Sequence, residues 1–248
     1  MQQTKAERLF SGSIGQEYDM LKVICPSAAK VSHKVGQALA EWALGQSLDV
    51  FEIGCGTGIT SLSLLTAREG VTLTAVDNEP DMLNQARHNL AEWVASGRLR
   101  LLEADALSAL RNLAERSVDV VASGYAIHNF LQGYRAEVLK EIHRVLKPGG
   151  AFINGDRYAL DDSLAHTRAT QEEIKRWFKT FTDLGRQDLL EQWVVHLFSD
   201  ESPDHIMRLG PSLEALKIAG FPSVEVIFRE GVDTVLIAAK CISADSFG

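Results

Sequence analysis

The chain has no long apolar run. Nothing in its 248 residues approaches the roughly eighteen consecutive apolar residues of a membrane span. Its amino terminus, MQQTKAERLF, is polar and lacks the apolar core of a secretory signal. An excess of cations is missing too. A formal net charge of −8 argues against a broad nucleic-acid-binding face, though not against a small local cluster of cations. Cysteine is scarce: Cys25, Cys55 and Cys241 are odd in number and have no C-x-x-C spacing, which suits reduced thiols in the cytoplasm. No internal repeat or low-complexity stretch is present. What is there is ordinary for a globular chain, 46% hydrophobic and 23% charged, with a length that fits one domain plus a decoration.

One segment stands apart. Residues 49–58, DVFEIGCGTG, run from a strand-like stretch into Gly54, Gly56 and Gly58, and the helix-like ITSLSLLTAR follows. Glycine lets bare backbone approach a ligand because it has no Cβ and tolerates positive φ. The helix start then aims unpaired N–H groups and the positive dipole end at that ligand. The dinucleotide fingerprint G-x-G-x-x-G places its third glycine one residue later than here. Glu52, two residues before Gly54, would repel a pyrophosphate and suits a cationic group.

Around this loop, strand and helix patterns alternate. Residues 27–45 place apolar side chains at helical spacing. VTLTAVD (71–77) reads as a second strand, followed by a helix over EPDMLNQARHNLAEW with Pro80 in its first turn. LRLLEAD (99–105) reads as a third strand and SVDVVASG as a fourth, with a helix over about 135–146. LKPGG (146–150) reads as a helix stop and turn, and AFINGD as a fifth strand. Such alternation predicts a parallel sheet covered by helices on both faces. Residues 161–208 break the pattern with a helical, aromatic-bearing stretch. A helix over 212–221 follows, and SVEVIFRE and DTVLIAAK, joined by a link too short for a crossover, predict an antiparallel pair at one edge.

Ligands of open α/β sheets bind beyond the carboxyl ends of the strands, where strand order reverses. Glu52, Asp77, Asp105 and Asp156 all fall at such ends. Asp77 lies at a distance from the loop that suits a carboxylate accepting both hydroxyls of a ribose, and Asp105 suits an exocyclic purine amine, with Met82 against the ring. Helix capping is the plainer role for both acids, and Asn78 can also cap.

EIGCGTG, the acid of AVDNEPDML, EADAL after strand three and LKPGG before strand five together make the chain resemble the class I S-adenosylmethionine-dependent methyltransferases that act on small molecules. The likeness is close over roughly residues 45–160. It implies a doubly wound, mostly parallel, seven-stranded Rossmann-like α/β sheet with an antiparallel C-terminal hairpin and a helical lid. The implied division is N-terminal cap helices (1–45), a cofactor-binding core (46–160), a lid insertion (161–210), and a closing helix and hairpin (211–248). The implied cofactor, S-adenosylmethionine, carries a sulfonium and an ammonium and no phosphate, which accounts for Glu52. Carried over by position, Gly54, Cys55, Gly56 and Gly58 take the methionine moiety, although the Cys55 side chain need not touch it. Asp77 takes the ribose, Asp105 with Ala106 the adenine, and Asn78 and Met82 flank the adenine. Ser123 and Gly124 line the methyl path, and Tyr18 covers the cofactor.

The same resemblance makes His128 the candidate catalytic base, with a structural histidine bonded to backbone as the even alternative. Asn129 orients an acceptor or caps a turn. Asp156 and Arg157 bind a polar substrate or form a surface ion pair. The aromatics Trp177, Phe178, Phe181, Trp193 and Phe198 read as the packing face of a lid. His196 and His205 read as solvent-exposed, and no metal is expected because no Asp-Asn pair completes a site. The acceptor is then an O, N or C nucleophile of a metabolite, with no nucleic acid or membrane partner; a homodimer stays open. The N-P-P-Y signature of amino-group methylation is replaced by SGYAIHNF. Two alternatives remain: a non-catalytic adenosylmethionine-binding subunit, and a carboxy-S-adenosylmethionine-type enzyme, which needs an extra cation such as Arg157 or Arg208.

Overall fold

The computed structural model describes residues 26–42 and 47–241. A single sheet of seven strands organises them, in the order β3-β2-β1-β4-β5-β7-β6. The strands are β1 (Leu48–Ile53), β2 (Val71–Asp77), β3 (Leu99–Glu103), β4 (Val118–Gly124), β5 (Leu146–Arg157), β6 (Ser223–Glu230) and β7 (Asp233–Ala239). β1 to β5 are mutually parallel, and β7 runs antiparallel to both β5 and β6. Strand order reverses between β1 and β4, which fixes where the cleft must open.

The helices are α1 (Pro26–Trp42), α2 (Ile59–Ala67), α3 (Pro80–Asn89), α4 (Ala91–Ala95), α5 (Ala106–Arg111), α6 (Gln132–Val145), α7 (Ser163–Leu184), α8 (Gln187–Asp200) and α9 (Leu209–Ile218). Two apolar layers result, as expected for strands buried on both faces. One joins Phe51, Ile53, Val121 and Phe152 to Val138 and Ile142 of α6. The other joins Val50, Leu73, Val120 and Ile153 to Val31, Val35 and Leu39 of α1 and to Leu64 and Leu65 of α2.

Three expectations shift. LKPGG is no free turn: Val118 pairs with Leu146 and Val120 with Ala151, so residues 147–150 bulge out opposite Asp119 within β5. The helix expected over 79–93 breaks at Leu90, whose φ of −117° and ψ of 26° turn its side chain inward beneath the glycine loop. β3 stops at Glu103, two residues before Asp105.

α7 and α8 fold against each other through Trp177, Phe181, Leu189, Trp193 and Leu197, with Ala28 of α1 and Tyr125 in the same cluster. Phe178 and Phe198 point outward instead. A partly buried ion-pair network ties this helical pair to β5. Arg157 reaches Glu173 of α7 at 2.9 Å and Glu201 after α8 at 3.1 Å, and His166 of α7 meets Glu201 at 2.6 Å.

Candidate functional site

Beyond the carboxyl ends of β1, β2, β3 and β4 lies a cleft of about 800 Å³. Its walls include Gly54, Gly56, Asp77, Asn78, Met82, Asp105, Ala106, Gly124 and Asn129. Gly54, Gly124 and Tyr125 also border a smaller recess of about 300 Å³ that reaches Cys55 and Thr60 and is capped by Ala28 and Ser32 of α1.

The glycine loop is held open by its own conformation. Gly54 has φ +69°, and a Cβ there would sit 2.3 Å from the Ala126 Cβ. Gly58 has φ +93°, and a Cβ there would meet the inward-turned Leu90 at 2.6 Å. Asp77 fastens the loop: it accepts from the Gly56 amide at 2.8 Å and from the Glu79 amide at 3.0 Å. Asp77 is therefore not the helix cap, a position taken by Glu79. Burial raises the Asp77 pKa, and the amides of Glu79 and Gly56 oppose that rise.

Asp105 does cap α5, accepting from the Ser108 amide at 2.9 Å, and it also accepts from the Tyr134 hydroxyl. The capping role and a place on the cleft wall coexist in this residue.

Glu52 is fully buried beneath the loop and accepts from the Ser61 hydroxyl at 2.5 Å. Among the described residues its Oε1 has no hydrogen-bond partner. Burial first, with the Asp77 charge adding and the Ser61 bond opposing, pushes its carboxyl up to about 8. The folded value thus lies above the ordinary 4.5, so between those limits the unfolded chain releases a proton that the folded chain keeps. Ligand-free stability is expected to fall as pH rises through this window and to level off above it. Thermal melts of Glu52→Gln across the window should show a flatter pH dependence than wild type; parallel curves would contradict the assignment.

The other pole lies past β4. Tyr125 takes a left-handed backbone, φ 53°, of the kind that costs energy and concentrates at functional sites. A 3₁₀ turn, Ile127–Asn129, follows and places His128 beside the end of β5. His128 Nδ1 lies 2.5 Å from Asp156 Oδ1, and both groups are buried. Asp156 also accepts from the Arg157 amide at 2.8 Å and the His128 amide at 3.3 Å. Arg135 staples the turn by donating to the carbonyls of Ile127, His128, Phe130 and His205, the last at 2.6 Å. On the far side of the ring, His128 Nε2 faces Asp200 Oδ2 of α8 at 4.0 Å, with His196 one helical turn away. Burial favours the neutral His128 ring, but the Asp156 and then the Asp200 charge outweigh it and hold the pKa above its ordinary value.

Against known proteins, residues 51–154 match the model of the methyltransferase domain family. Over those residues the chain carries a methyltransferase domain. S-adenosylmethionine is the cofactor of that family. The carboxy-S-adenosyl-L-methionine synthase of Klebsiella pneumoniae is 24% identical over 216 residues, 85% of this chain and 82% of that one. An O-methyltransferase family protein from Burkholderia thailandensis superposes with a TM-score of 0.66 at 18% identity, over 94% of this chain and 62% of that one. The [4+2]-cyclase SpnF superposes at 0.60 with 15% identity, over 93% and 96%. At such identities the structural likenesses establish the fold alone. No helix of the described residues is long and apolar enough to cross a membrane.

Several assignments move once the described residues are seen together. Ser123 does not line the cleft: it is buried and donates to the Ile53 carbonyl at 3.1 Å, leaving Gly124 as the wall. A Cβ at Gly124 would sit 2.2 Å from Thr60 Oγ1, so that wall must be bare backbone. Asp156 is taken up by His128 and backbone amides and lines neither the cleft nor the recess, so its contacts place it behind His128 rather than on a ligand-facing wall. Arg157 is neither a substrate hook nor a fully exposed surface pair, since Glu173 and Glu201 hold it in the partly buried network. His196 and His205 are buried at 6% and 7% exposure, not solvated, and burial lowers the pKa of each. The Cys55 thiol is pushed well up by burial, then by Glu52 and Asp77, so it stays protonated. Asn129 lines the cleft while its amide donates to the Tyr125 carbonyl at 3.3 Å. Tyr18 lies outside the described residues.

Tyr125, Phe130, Tyr134 and Arg135 belong to the site and carry no motif. Phe130 and Tyr134 stack edge to face at 5.0 Å on the Asp105 side of the cleft. Only their nearness to His128 in the chain hints at them.

Proposed function

We propose that this protein moves the activated methyl of S-adenosylmethionine onto an O, N or C nucleophile of a small-molecule metabolite. The observation that carries the reading is the buried His128–Asp156 pair, 2.5 Å apart, set beside the cleft and roofed by α8. The bound cofactor supplies a methyl on a sulfonium that leaves as a neutral thioether. The chain's own residues then have three tasks.

The first is holding the cofactor. In this reading Gly54, Gly56 and Gly58 give the methionine part a bare backbone cradle, with Cys55 passing through the loop as backbone. The Cβ that would fill the cradle at Gly54 supports the fit. Glu52, whose Oε1 has no hydrogen-bond partner among the described residues, suits the ammonium end. Asp77 receives the ribose hydroxyls, Asp105 and Ala106 the adenine edge, and Asn78 and Met82 its faces. Gly124 borders the methyl path.

Excluding water is the second task, and α7 and α8 perform it as a lid pinned to β5 by Arg157. Alignment and desolvation supply much of the rate of an in-line displacement. The third is taking the acceptor's proton. Asp156 accepts the His128 Nδ1–H, which leaves Nε2 as the basic atom. Asn129, whose Oδ1 is buried without a protein partner among the described residues, orients the acceptor.

The net charge of −8 supports a metabolite over nucleic acid, and the cysteine pattern supports a cytoplasmic setting. A carboxymethyl-forming reading follows the name of the Klebsiella relative, and it calls for a cation near the methyl. Arg157 is held by two glutamates and Arg208 donates to the Leu160 carbonyl, so both cations already have partners. Incubating the protein with isotope-labelled S-adenosylmethionine and fractionated cell metabolites tests the assignment. Label in a small-molecule product, with S-adenosylhomocysteine released, is expected. Binding without turnover on any fraction would favour a non-catalytic subunit, and label carried as a carboxymethyl group would favour the synthase chemistry.

A further inference from the structure

We propose that His128, His196 and Asp200 form a binding site for one divalent transition-metal ion. One donor atom from each of these residues lies within 4.8 Å of the other two. His196 Nε2 and His128 Nε2 stand 3.6 and 4.0 Å from the same Asp200 oxygen. All three residues are at least nine-tenths buried.

The arrangement is built from separate parts of the fold. His196 and Asp200 sit at i and i+4 of α8, so they share one helix face. His128 comes from the turn after β4, and Asp156 receives its Nδ1–H at 2.5 Å. A carboxylate on the remote nitrogen of a metal-ligating histidine fixes its tautomer and strengthens the other nitrogen as a donor. Asp200 supplies an independent sign. Among the described residues its Oδ1 is buried with no hydrogen-bond partner, an arrangement that a cation relieves and an empty apolar pocket does not. Two imidazoles and one carboxylate suit zinc, iron(II) or cobalt(II) and leave coordination positions open. Magnesium and calcium prefer all-oxygen sets.

The binding stands on these residues alone. Its chemical use rests on the methyl-transfer reading. The ion, a Lewis acid at the substrate pole, would bind the acceptor's oxygen or nitrogen and release its proton to water. His128 then holds the cation in place of that proton. As the carbon–sulfur bond breaks, the carbon–acceptor bond forms and S-adenosylhomocysteine leaves. The acceptor class narrows to molecules with a chelating or ionisable donor atom.

Tag-free protein stripped with a chelator and titrated with cobalt(II) tests the site. We expect visible d–d bands saturating at one ion per chain, displaced by zinc. His196→Ala and Asp200→Asn should abolish the bands, and Asp156→Asn should weaken binding about 10- to 100-fold. Circular dichroism on each variant separates lost ligands from lost fold. Folded wild type with no bands overturns the site, as do bands that survive His196→Ala and Asp200→Asn. S-adenosylhomocysteine calorimetry on the same samples judges the methyl-transfer reading separately. Cobalt bound without that ligand fails the reading alone; that ligand bound without cobalt fails the site alone.

Discussion

Replacing His128 with alanine is expected to lower the rate of the proposed methyl transfer on the order of 10²- to 10⁴-fold, the span of positioned acid–base catalysis, while affinity for S-adenosylhomocysteine holds. The split follows from position. His128 is absent from the walls of the glycine-loop cleft and sits instead between Asp156 and Asp200. Alanine also strands the buried Asp156 carboxylate, which loses its nearest hydrogen-bond donor. His128→Gln is therefore the necessary companion, since its amide can still donate to Asp156 but cannot carry a proton. Steady-state rates of both variants beside their melting temperatures decide the matter. Equal loss of rate in two folded proteins supports a chemical role; wild-type turnover in His128→Gln reduces the residue to packing.

Gly54→Val should weaken cofactor binding severely. At φ +69° a side chain with Cβ costs about 1–2 kcal/mol through backbone strain alone. The added Cβ would also lie 2.3 Å from Ala126 Cβ, closer than any real contact, so the loop or the turn carrying Tyr125 must move. With each 1.4 kcal/mol worth a factor of ten, a loss of affinity on the order of 100-fold or more follows. The damage stays local, because Gly54 lies past the end of β1 and the two apolar layers do not depend on it. Calorimetry with S-adenosylhomocysteine and a melting curve check both halves of the claim. Wild-type affinity in the variant would mean that the loop is not the cradle.

The glycine loop and the acid after it were legible because their signals are local. Gly54, Gly56 and Gly58 reveal their backbone in three letters, and Asp77 follows at the end of the next apolar run. The alternation of strands and helices likewise exposed the sheet, including the hairpin of β6 and β7. Legibility failed where a residue's surroundings come from distant parts of the chain. Asp156 and Arg157 are neighbours in sequence, yet one orients His128 and the other pins α7. Nothing near Arg157 announces that Glu173 and Glu201 will surround it. His196 carries the spacing to Asp200 that a shared helix face requires, but only the docking of α8 onto the turn after β4 buries both. Leu90 broke a helix that its residue type favours because the space beneath Gly58 claimed its side chain. Local propensity lost there to tertiary packing.

One titration bears most directly on the whole account: S-adenosylhomocysteine into wild-type protein and into Asp77→Ala, followed by calorimetry, with a nicotinamide dinucleotide as the competing ligand. The account predicts saturable one-to-one binding to wild type, weakened by roughly 1–3 kcal/mol in the variant as the ribose loses its carboxylate, and no heat from the dinucleotide. Dinucleotide binding with indifference to S-adenosylhomocysteine would contradict it.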